Sequence, residues 1–539
     1  MYWHVYQGQG DDDIMSAPTV MTTTYEILRS HGMTVVFGNP GSNELPFLAG
    51  MPEDFRYILG LHEGAVVGMA DGYAQAIGGP AFVNLHAASG TGNAMGALTN
   101  AHYGHSPLVI LAGQQVRDTV GQEVMLSNVD AAALPRPLVK HSHEPLAAQD
   151  VPRAVTQAIL EATTHPQGPV YLSVPYDDWA HPARDDDASL ASRTVRVGGG
   201  PTAGDIEELA ARLDAASHPV LVLGQDVDIA RAQSDAVVLA ERLGAPVWVA
   251  PSAPRCPYPT THPHYRGLLP TGRDALRRKL EGHDLIIVIG APVFRYHRYE
   301  RGRYLPDHAQ VLQLTQDPHE ASRAPVGDSL IAPVGATLAA LAWAVRDRGV
   351  RLDALPTPPV RRVPGALTGE QILEVLNEHV TDRTTYVNET TTLDGIFLDR
   401  VHMDRPDMYH FPASGGLGFG LPAAVGISLA RPDDVVVATV GDGSANYGLS
   451  ALWTAAQQQT RTVFVIVNNG TYGALRGFAA VLDALDAPGL DVPGIDFVAL
   501  ATGYGVPASS VSTPDEFRVA YRAALGAEGP VLIDAHVVL

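Results

Sequence analysis

The chain has 539 residues, a formal net charge of −22 and hydrophobic side chains at 46% of its positions. That length exceeds a single core and fits about three domains, while the acidic balance excludes nucleic acid and anionic membrane surfaces as partners. A single cysteine, Cys256, excludes an intrachain disulfide framework and suits a reducing cytoplasm.

The opening stretch MYWHVYQGQGDDDIM lacks the basic segment and apolar core of a signal peptide. Residues 1–15 read as a disordered or artefactual extension. No later apolar run approaches the ~20 residues that span a bilayer. From residue 16 to 195, TVVFGN, YILGL, AFVNLHA, LVILAG and VYLSV read as strands. TTTYEILRSHG, EGAVVGMADGYAQAIG and GTGNAMGALTNAHYG read as helices between them. Such alternation implies a parallel sheet covered on both faces. A polar, acidic, Gly-rich break follows around 180–203. Residues 196–360 repeat the pattern with PVLVLG, PVWVAP, LIIVIG and AQVLQLTQD. LVLGQDVD and IVIGAP faintly suggest nucleotide-binding turns, without a full G-x-G-x-x-G. Cys256, in the Pro-rich PSAPRCPYP, reads as a buried, inert thiol. A second, Pro-rich break lies near 350–366. Residues 361–539 run from TTYVNET to PVLIDAHVV. The expected fold is α/β, with three doubly wound parallel-sheet domains.

The third domain carries the strongest motif. An apolar run, Val435 to Val440, stops at Gly441-Asp442-Gly443, and a second, Val463 to Val467, stops at Asn468-Asn469-Gly470, with 24 positions between the stops. Both runs read as buried parallel strands joined by a crossover. Ligands bind beyond the carboxyl ends of such strands. Glycines there expose N–H groups to an anion. A hard cation such as Mg²⁺ wants oxygen ligands and shares them with substrate phosphates. The expected metal ligands are the Asp442 carboxylate, the Asn469 side-chain oxygen and the Thr471 backbone carbonyl. Either turn alone is better read as Gly and Asn serving φ > 0; the pair at this spacing is not.

The pair resembles the thiamine-diphosphate signature. With GNPGSNELPF (38–47), LHEGAVVGMADGYA (61–74), NLHAASGTGNAMGAL (84–98), QGPVYLSVPYDDW (167–179), APVFRYH (291–297), GGLGFGLPAA (415–424) and NNGTYGALR (468–476), nearly the whole chain resembles the thiamine-diphosphate-dependent 2-oxo acid decarboxylases, in the benzoylformate decarboxylase branch. The resemblance implies pyrimidine-binding (16–195), middle (196–360, without FAD) and diphosphate-binding (361–539) domains. It implies thiamine diphosphate and Mg²⁺ as cofactors. Glu63 becomes the acid facing the aminopyrimidine, and so is expected to be partly desolvated; on residues alone it is a helix-start carboxylate. Leu417 becomes the wedge that bends the cofactor, rather than a core leucine opening a helix, and the Gly415 carbonyl accepts from its amino group. Thr391, Gly441, Gly443, Ser444, Tyr472 and Gly473 complete the cofactor contacts. Ser42, otherwise a plain N-cap, binds the substrate carboxylate. His86 and His297 become the proton-transfer pair among 21 histidines. Pro40, Gly41, Phe411, Leu475 and Phe478 line the substrate pocket. Gly477 stands where the family carries a bulky aromatic, and Pro412 and Ser414 are also unusual, so pocket width is the open feature.

The implied activity is decarboxylation of an aromatic 2-oxo acid, benzoylformate foremost, to an aldehyde and CO₂, with carboligation as a side activity. The alternative is an aliphatic decarboxylase or an acetolactate synthase-like carboligase. A regulatory cofactor-binding protein is disfavoured by the retained Glu63, His86 and His297, and a nicotinamide oxidoreductase lacks its fingerprint. The resemblance also implies a cofactor bridging two subunits in a cytoplasmic homo-oligomer, a dimer of dimers.

Overall fold

The computed structural model describes residues 18–297 and 299–538; the expected 1–15 extension lies outside them. The chain forms three six-stranded sheets. The first holds β1 (Val35–Gly38), β2 (Arg56–Leu59), β3 (Ala81–Leu85), β4 (Leu108–Gln114), β5 (His141–His143) and β6 (Val170–Pro175), in the order β2-β1-β3-β4-β6-β5. The middle sheet holds β7 (Pro219–Leu223), β8 (Val247–Val249), β9 (Tyr265–Leu268), β10 (Leu285–Ile289), β11 (Gln310–Thr315) and β12 (Asp328–Ile331), in the order β12-β11-β10-β7-β8-β9. The third holds β13 (Thr384–Glu389), β14 (Tyr409–His410), β15 (Val435–Gly441), β16 (Thr462–Asn468), β17 (Ala508–Val511) and β18 (Val531–His536), in the order β14-β13-β15-β16-β18-β17.

Every pairing is parallel. The central strands β4, β10 and β16 are buried along their whole length, which is why they read as continuous Val, Ile and Leu runs. The sequential strand order reverses within each sheet between β1 and β3, β7 and β10, and β13 and β15. Those three switch points open crevices at the carboxyl ends of the strands, where ligands bind in such sheets.

The three units are tied together in the interior. Helix Glu63–Ile77 of the first packs on helix Gly420–Ala430 of the third. The contact is backbone on backbone: a Cβ on Gly426 would lie 1.9 Å from the Met69 carbonyl oxygen, and one on Gly72 would lie 2.3 Å from that of Ala423. Only glycine fits at these two positions. Arg255, from the middle unit, is buried and donates to Asp228 (3.0 Å), Asp407 (2.5 Å) and the Gln75 carbonyl (3.2 Å). Its charge is therefore paired by carboxylates of the middle and third units, as a buried guanidinium requires, and its remaining bond reaches the first. Cys256 is buried, its Sγ donating to the Tyr258 carbonyl, and burial pushes the thiol pKa up. No helix among the described residues is long and apolar enough to cross a membrane.

Candidate active site

β2 leads into helix Glu63–Ile77, and His62 caps that helix by accepting from the Gly64 N–H at 3.1 Å. Glu63 thus occupies the first turn, where the helix dipole favours a carboxylate. It is only 7% exposed. Its Oε1 accepts from Asn39 Nδ2 (3.3 Å) and its Oε2 from Asn93 Nδ2 (3.0 Å). Asn39 follows β1 and Asn93 lies on helix Ala87–Tyr103, so three segments converge on one desolvated acid.

His86 follows β3 at the head of that helix. Its Nδ1 lies 2.8 Å from Glu44 Oε2, and Glu44 also accepts from the N–H groups of Gly41 (2.9 Å) and Gly113 (3.0 Å). The buried carboxylate orients the ring with the Nδ1 proton toward it, leaving Nε2 for chemistry. Gly41 is what admits the ring, since a Cβ there would lie 2.1 Å from His86 Nδ1. Pro40 and Gly41 border this pair. Ser42 is exposed, with its hydroxyl 3.2 Å from Asn43 Oδ1. The helix after it begins only at Leu45, with Glu44 in the cap position, so Ser42 is not an N-cap. Glu44→Gln is expected to lower kcat by about 10–100-fold, by analogy with carboxylates that orient metal-bound imidazoles, with a smaller change in KM. Steady-state kinetics check this; an unchanged kcat would show that His86 needs no orienting acid.

In the third unit, β15 and β16 are neighbours, with Gly441 opposite Val467. The two turns beyond them meet. Asp442 accepts from Gly443 N–H (2.9 Å) through Oδ1 and from Gly470 N–H (2.7 Å) through Oδ2. Burial pushes its pKa up, and the N–H donors oppose this. Asn469 Oδ1 accepts from Thr471 N–H (3.0 Å), and the Thr471 carbonyl accepts from Gly473 N–H (2.9 Å). Each of these oxygens keeps a lone pair, and the set is all oxygen, which fits Mg²⁺. Gly441 ends β15 and Ser444 is buried in the short helix Asp442–Ala445. Tyr472 is fixed by its N–H to the Leu490 carbonyl at 2.8 Å.

Leu417 lies in a turn ahead of helix Gly420–Ala430 and is half-buried; the helix-opening core role does not apply. The turn runs through left-handed backbone at Gly415 (φ +76°) and Gly418 (φ +97°). Two side chains hold it. Glu389, at the end of β13 and fully buried, accepts from the N–H groups of Gly418 (2.6 Å), Phe419 (3.3 Å) and Gly420 (2.7 Å). Burial raises its pKa to about 7 against those donors. Asn100 of the first unit donates to the Gly416 carbonyl (2.8 Å) and accepts from Ser414 N–H (3.1 Å). Thr391 sits exposed in the turn after β13.

His297 is exposed and its ring stands edge-on to Phe478, centroids 4.5 Å apart. Leu475 is exposed on the same short helix, and Phe411 is buried near its N–H contact with the Pro254 carbonyl. A Cβ on Gly477 would meet nothing within 4 Å. Among the described residues, no hydrogen bond or ion pair joins Ser42, Glu63 or His86 to Asp442, Asn469 or Thr471 within the chain. Asn39, Asn93, Glu44 and Glu389 escaped the reading of the sequence as site residues. The first three stand inside the motifs GNPGSNELPF and NLHAASGTGNAMGAL, and their polarity beside glycines was the available signal.

Residues 18–134, 206–341 and 393–535 match the N-terminal TPP binding, central and C-terminal TPP binding domains of the thiamine pyrophosphate enzymes. The chain belongs to that family. Within it the chain groups with the benzoylformate decarboxylases. It is 58% identical over 518 residues to benzoylformate decarboxylase from Pseudomonas aeruginosa, across 96% of this chain and 98% of the relative. The thiamine diphosphate-dependent 4-hydroxybenzoylformate decarboxylase of Rhodococcus jostii RHA1 superposes with a TM-score of 0.95 at 55% identity, covering 96% of this chain and 99% of that one. Benzoylformate decarboxylase from Polynucleobacter necessarius gives 0.93 at 39% identity, covering 96% and 98%.

Proposed function

We propose that this chain decarboxylates an aromatic 2-oxo acid, benzoylformate foremost, to the aldehyde and CO₂, using thiamine diphosphate and Mg²⁺. The observation that carries the reading is a desolvated Glu63 between two amides together with the all-oxygen cradle of Asp442, Asn469 and Thr471. Asp442, Asn469 and the Thr471 carbonyl would hold the metal. Gly441, Gly443, Ser444, Tyr472 and Gly473 would hold the diphosphate; Thr391, the Gly415 carbonyl, Leu417 and Glu63 would hold the ring portion. When bound, thiamine diphosphate supplies the electron sink that accepts the pair released with CO₂.

The remaining work belongs to side chains. The Ser42 hydroxyl takes the substrate carboxylate. Nε2 of His86 donates toward the keto oxygen as it gains charge, with Glu44 stabilising the ring. His297 handles the proton that replaces the lost carboxylate; transfers of this kind contribute about 10²–10⁴-fold. Phe411, Leu475 and Phe478, with Pro40 and Gly41, wall the aromatic group. The open space at Gly477 supports tolerance of a substituted ring. Joining of a second aldehyde is the expected side reaction.

The lack of contact between the Glu63 and Asp442 sets within one chain supports a site completed by a second chain; the assembly proposed is a dimer of dimers, in the cytoplasm. Exposed Leu45, Tyr447, Leu482 and Leu485 support burial of apolar surface between subunits. Residues 16–195, 196–360 and 361–539 then serve as pyrimidine-binding, middle and diphosphate-binding domains.

The test is CO₂ release from benzoylformate, 4-hydroxybenzoylformate, pyruvate and branched 2-oxo acids with thiamine diphosphate and Mg²⁺. The aromatic acids are expected to lead in kcat/KM. A preference for pyruvate would overturn the substrate assignment and favour the acetolactate synthase-like reading.

A further inference from the structure

The middle sheet has its own ligand edge, from which the proposed reaction uses only His297, on the loop after β10. At its switch point, β7 delivers Gly224, Gln225 and Asp226, β10 delivers Gly290, and β11 leads to Asp317 and Glu320. These turns border a cavity of about 950 Å³ shared with the first unit, which contributes His105. His105 holds left-handed backbone (φ +55°), a conformation costly for a non-glycine residue, and its ring enters the acidic edge.

Three ligand atoms, one each from His105, Asp317 and Glu320, lie within 4.8 Å of one another. His105 Nε2 is 3.9 Å from Asp317 Oδ2. Asp317 Oδ1 is spent capping the next helix, accepting from the N–H groups of His319 (2.7 Å) and Glu320 (3.3 Å), which leaves Oδ2 free. Glu320 Oε2 accepts from Thr315 Oγ1 at 3.1 Å, which leaves Oε1 free.

A second observation points to a ligand here. Asp226 is 1% exposed, its Oδ2 has no hydrogen-bond partner, and its Oδ1 meets only the His105 ring. Its Oδ1 faces the other edge of the same imidazole, 3.4 Å from Nδ1. Gln225 Nε2 lies equally close to Nδ1 and also donates to the Tyr103 carbonyl at 3.2 Å. A carboxylate behind one ring nitrogen with oxygen ligands before the other is the arrangement that orients metal-binding histidines.

Charge supports the same conclusion. Among the described residues no Lys or Arg comes within 4 Å of these three carboxylates, and His105 is their one ionic partner. Lys140, Arg295 and Arg323 line the cavity; Lys140 and Arg295 donate to backbone carbonyls of Glu161, Thr164 and Ala413, and Arg323 stays beyond 4 Å of the three carboxylates. A buried excess of negative charge is costly unless a cation offsets it.

We propose that His105, Asp317 and Glu320 form a divalent-cation site at the ligand edge of the middle sheet, oriented by Asp226 and distinct from the site at Asp442. One imidazole and two carboxylates, with the cavity free to supply water, suit a first-row ion such as Mn²⁺. The bound ion would clamp the first unit to the middle one.

The test is Mn²⁺ titration of the enzyme with thiamine diphosphate bound, following loss of the free-ion electron paramagnetic resonance signal. Wild type should bind one Mn²⁺ per chain beyond the diphosphate site. Glu320→Gln should weaken that second equivalent at least tenfold. Asp317→Asn, which keeps an oxygen for the helix cap, should do the same if Glu320→Gln fails to fold. Asp442→Asn should lose the other equivalent and keep this one. A single equivalent in wild type, or a second one undiminished in the folded Glu320 and Asp317 variants, would overturn the proposal.

Discussion

Glu63→Gln is expected to lower kcat by about 10²–10⁴-fold, the span typical of a lost proton-transfer partner. The carboxylate is held between two amide donors, Asn39 Nδ2 at 3.3 Å and Asn93 Nδ2 at 3.0 Å. A glutamine keeps the shape but sets an NH₂ against one of those donors and removes the charge. That leaves a buried donor unsatisfied, at a stability cost of about 1–3 kcal/mol. The chemical loss is larger, because no other carboxylate reaches Asn39 and Asn93 among the described residues. Turnover, read beside circular dichroism and cofactor affinity, separates the two effects. Near-normal turnover in a folded variant would remove Glu63 as the activating acid.

Asp442→Asn is expected to act on binding. Its two oxygens accept from the Gly443 and Gly470 N–H groups at 2.9 and 2.7 Å, and so join the two turns. An asparagine accepts through one oxygen only, so one turn is released and the metal loses its carboxylate. The apparent Kd for thiamine diphosphate should rise by at least about 100-fold, beyond the range for groups that merely orient a ligand. A pH dependence accompanies this. Metal binding needs the ionised form, and burial holds the Asp442 pKa above that of an exposed aspartate. Cofactor affinity of the wild type should therefore fall at higher pH, on acidification, than an exposed ligand would allow. The variant should lack that fall. Calorimetric titration with the cofactor and Mg²⁺ checks both expectations.

The buried part of the fold was legible and its margins were not. Strands such as β4, β10 and β16 are buried throughout and carry unbroken apolar runs. The edges β5 (HSH), β9, β12, β14 and β17 are short and mostly polar or mixed. Such edges pair on one side only, so no hydrophobic pattern marks them. The site divides in the same way. The Asp442 and Asn469 turns follow strongly patterned strands, and their meeting could be foreseen. Glu44 and Glu389 act by accepting backbone N–H groups from Gly41 and Gly113, and from Gly418 to Gly420. Those partners come from distant segments, and only the tertiary fold reveals the pairing. Ser42 shows the reverse: a Ser before a helix suggested a cap, yet the helix starts three residues later.

The most direct measurement is complementation between two inactive variants. Glu63→Gln and Asp442→Asn chains, each inactive alone, are co-expressed with different tags, and the mixed dimer is isolated by both tags. If one cofactor spans Glu63 of one chain and Asp442 of its partner, each mixed dimer regains one intact site and about half the wild-type rate. If both residues served a site within a single chain, the mixed dimer would stay inactive, and that result would contradict the shared site.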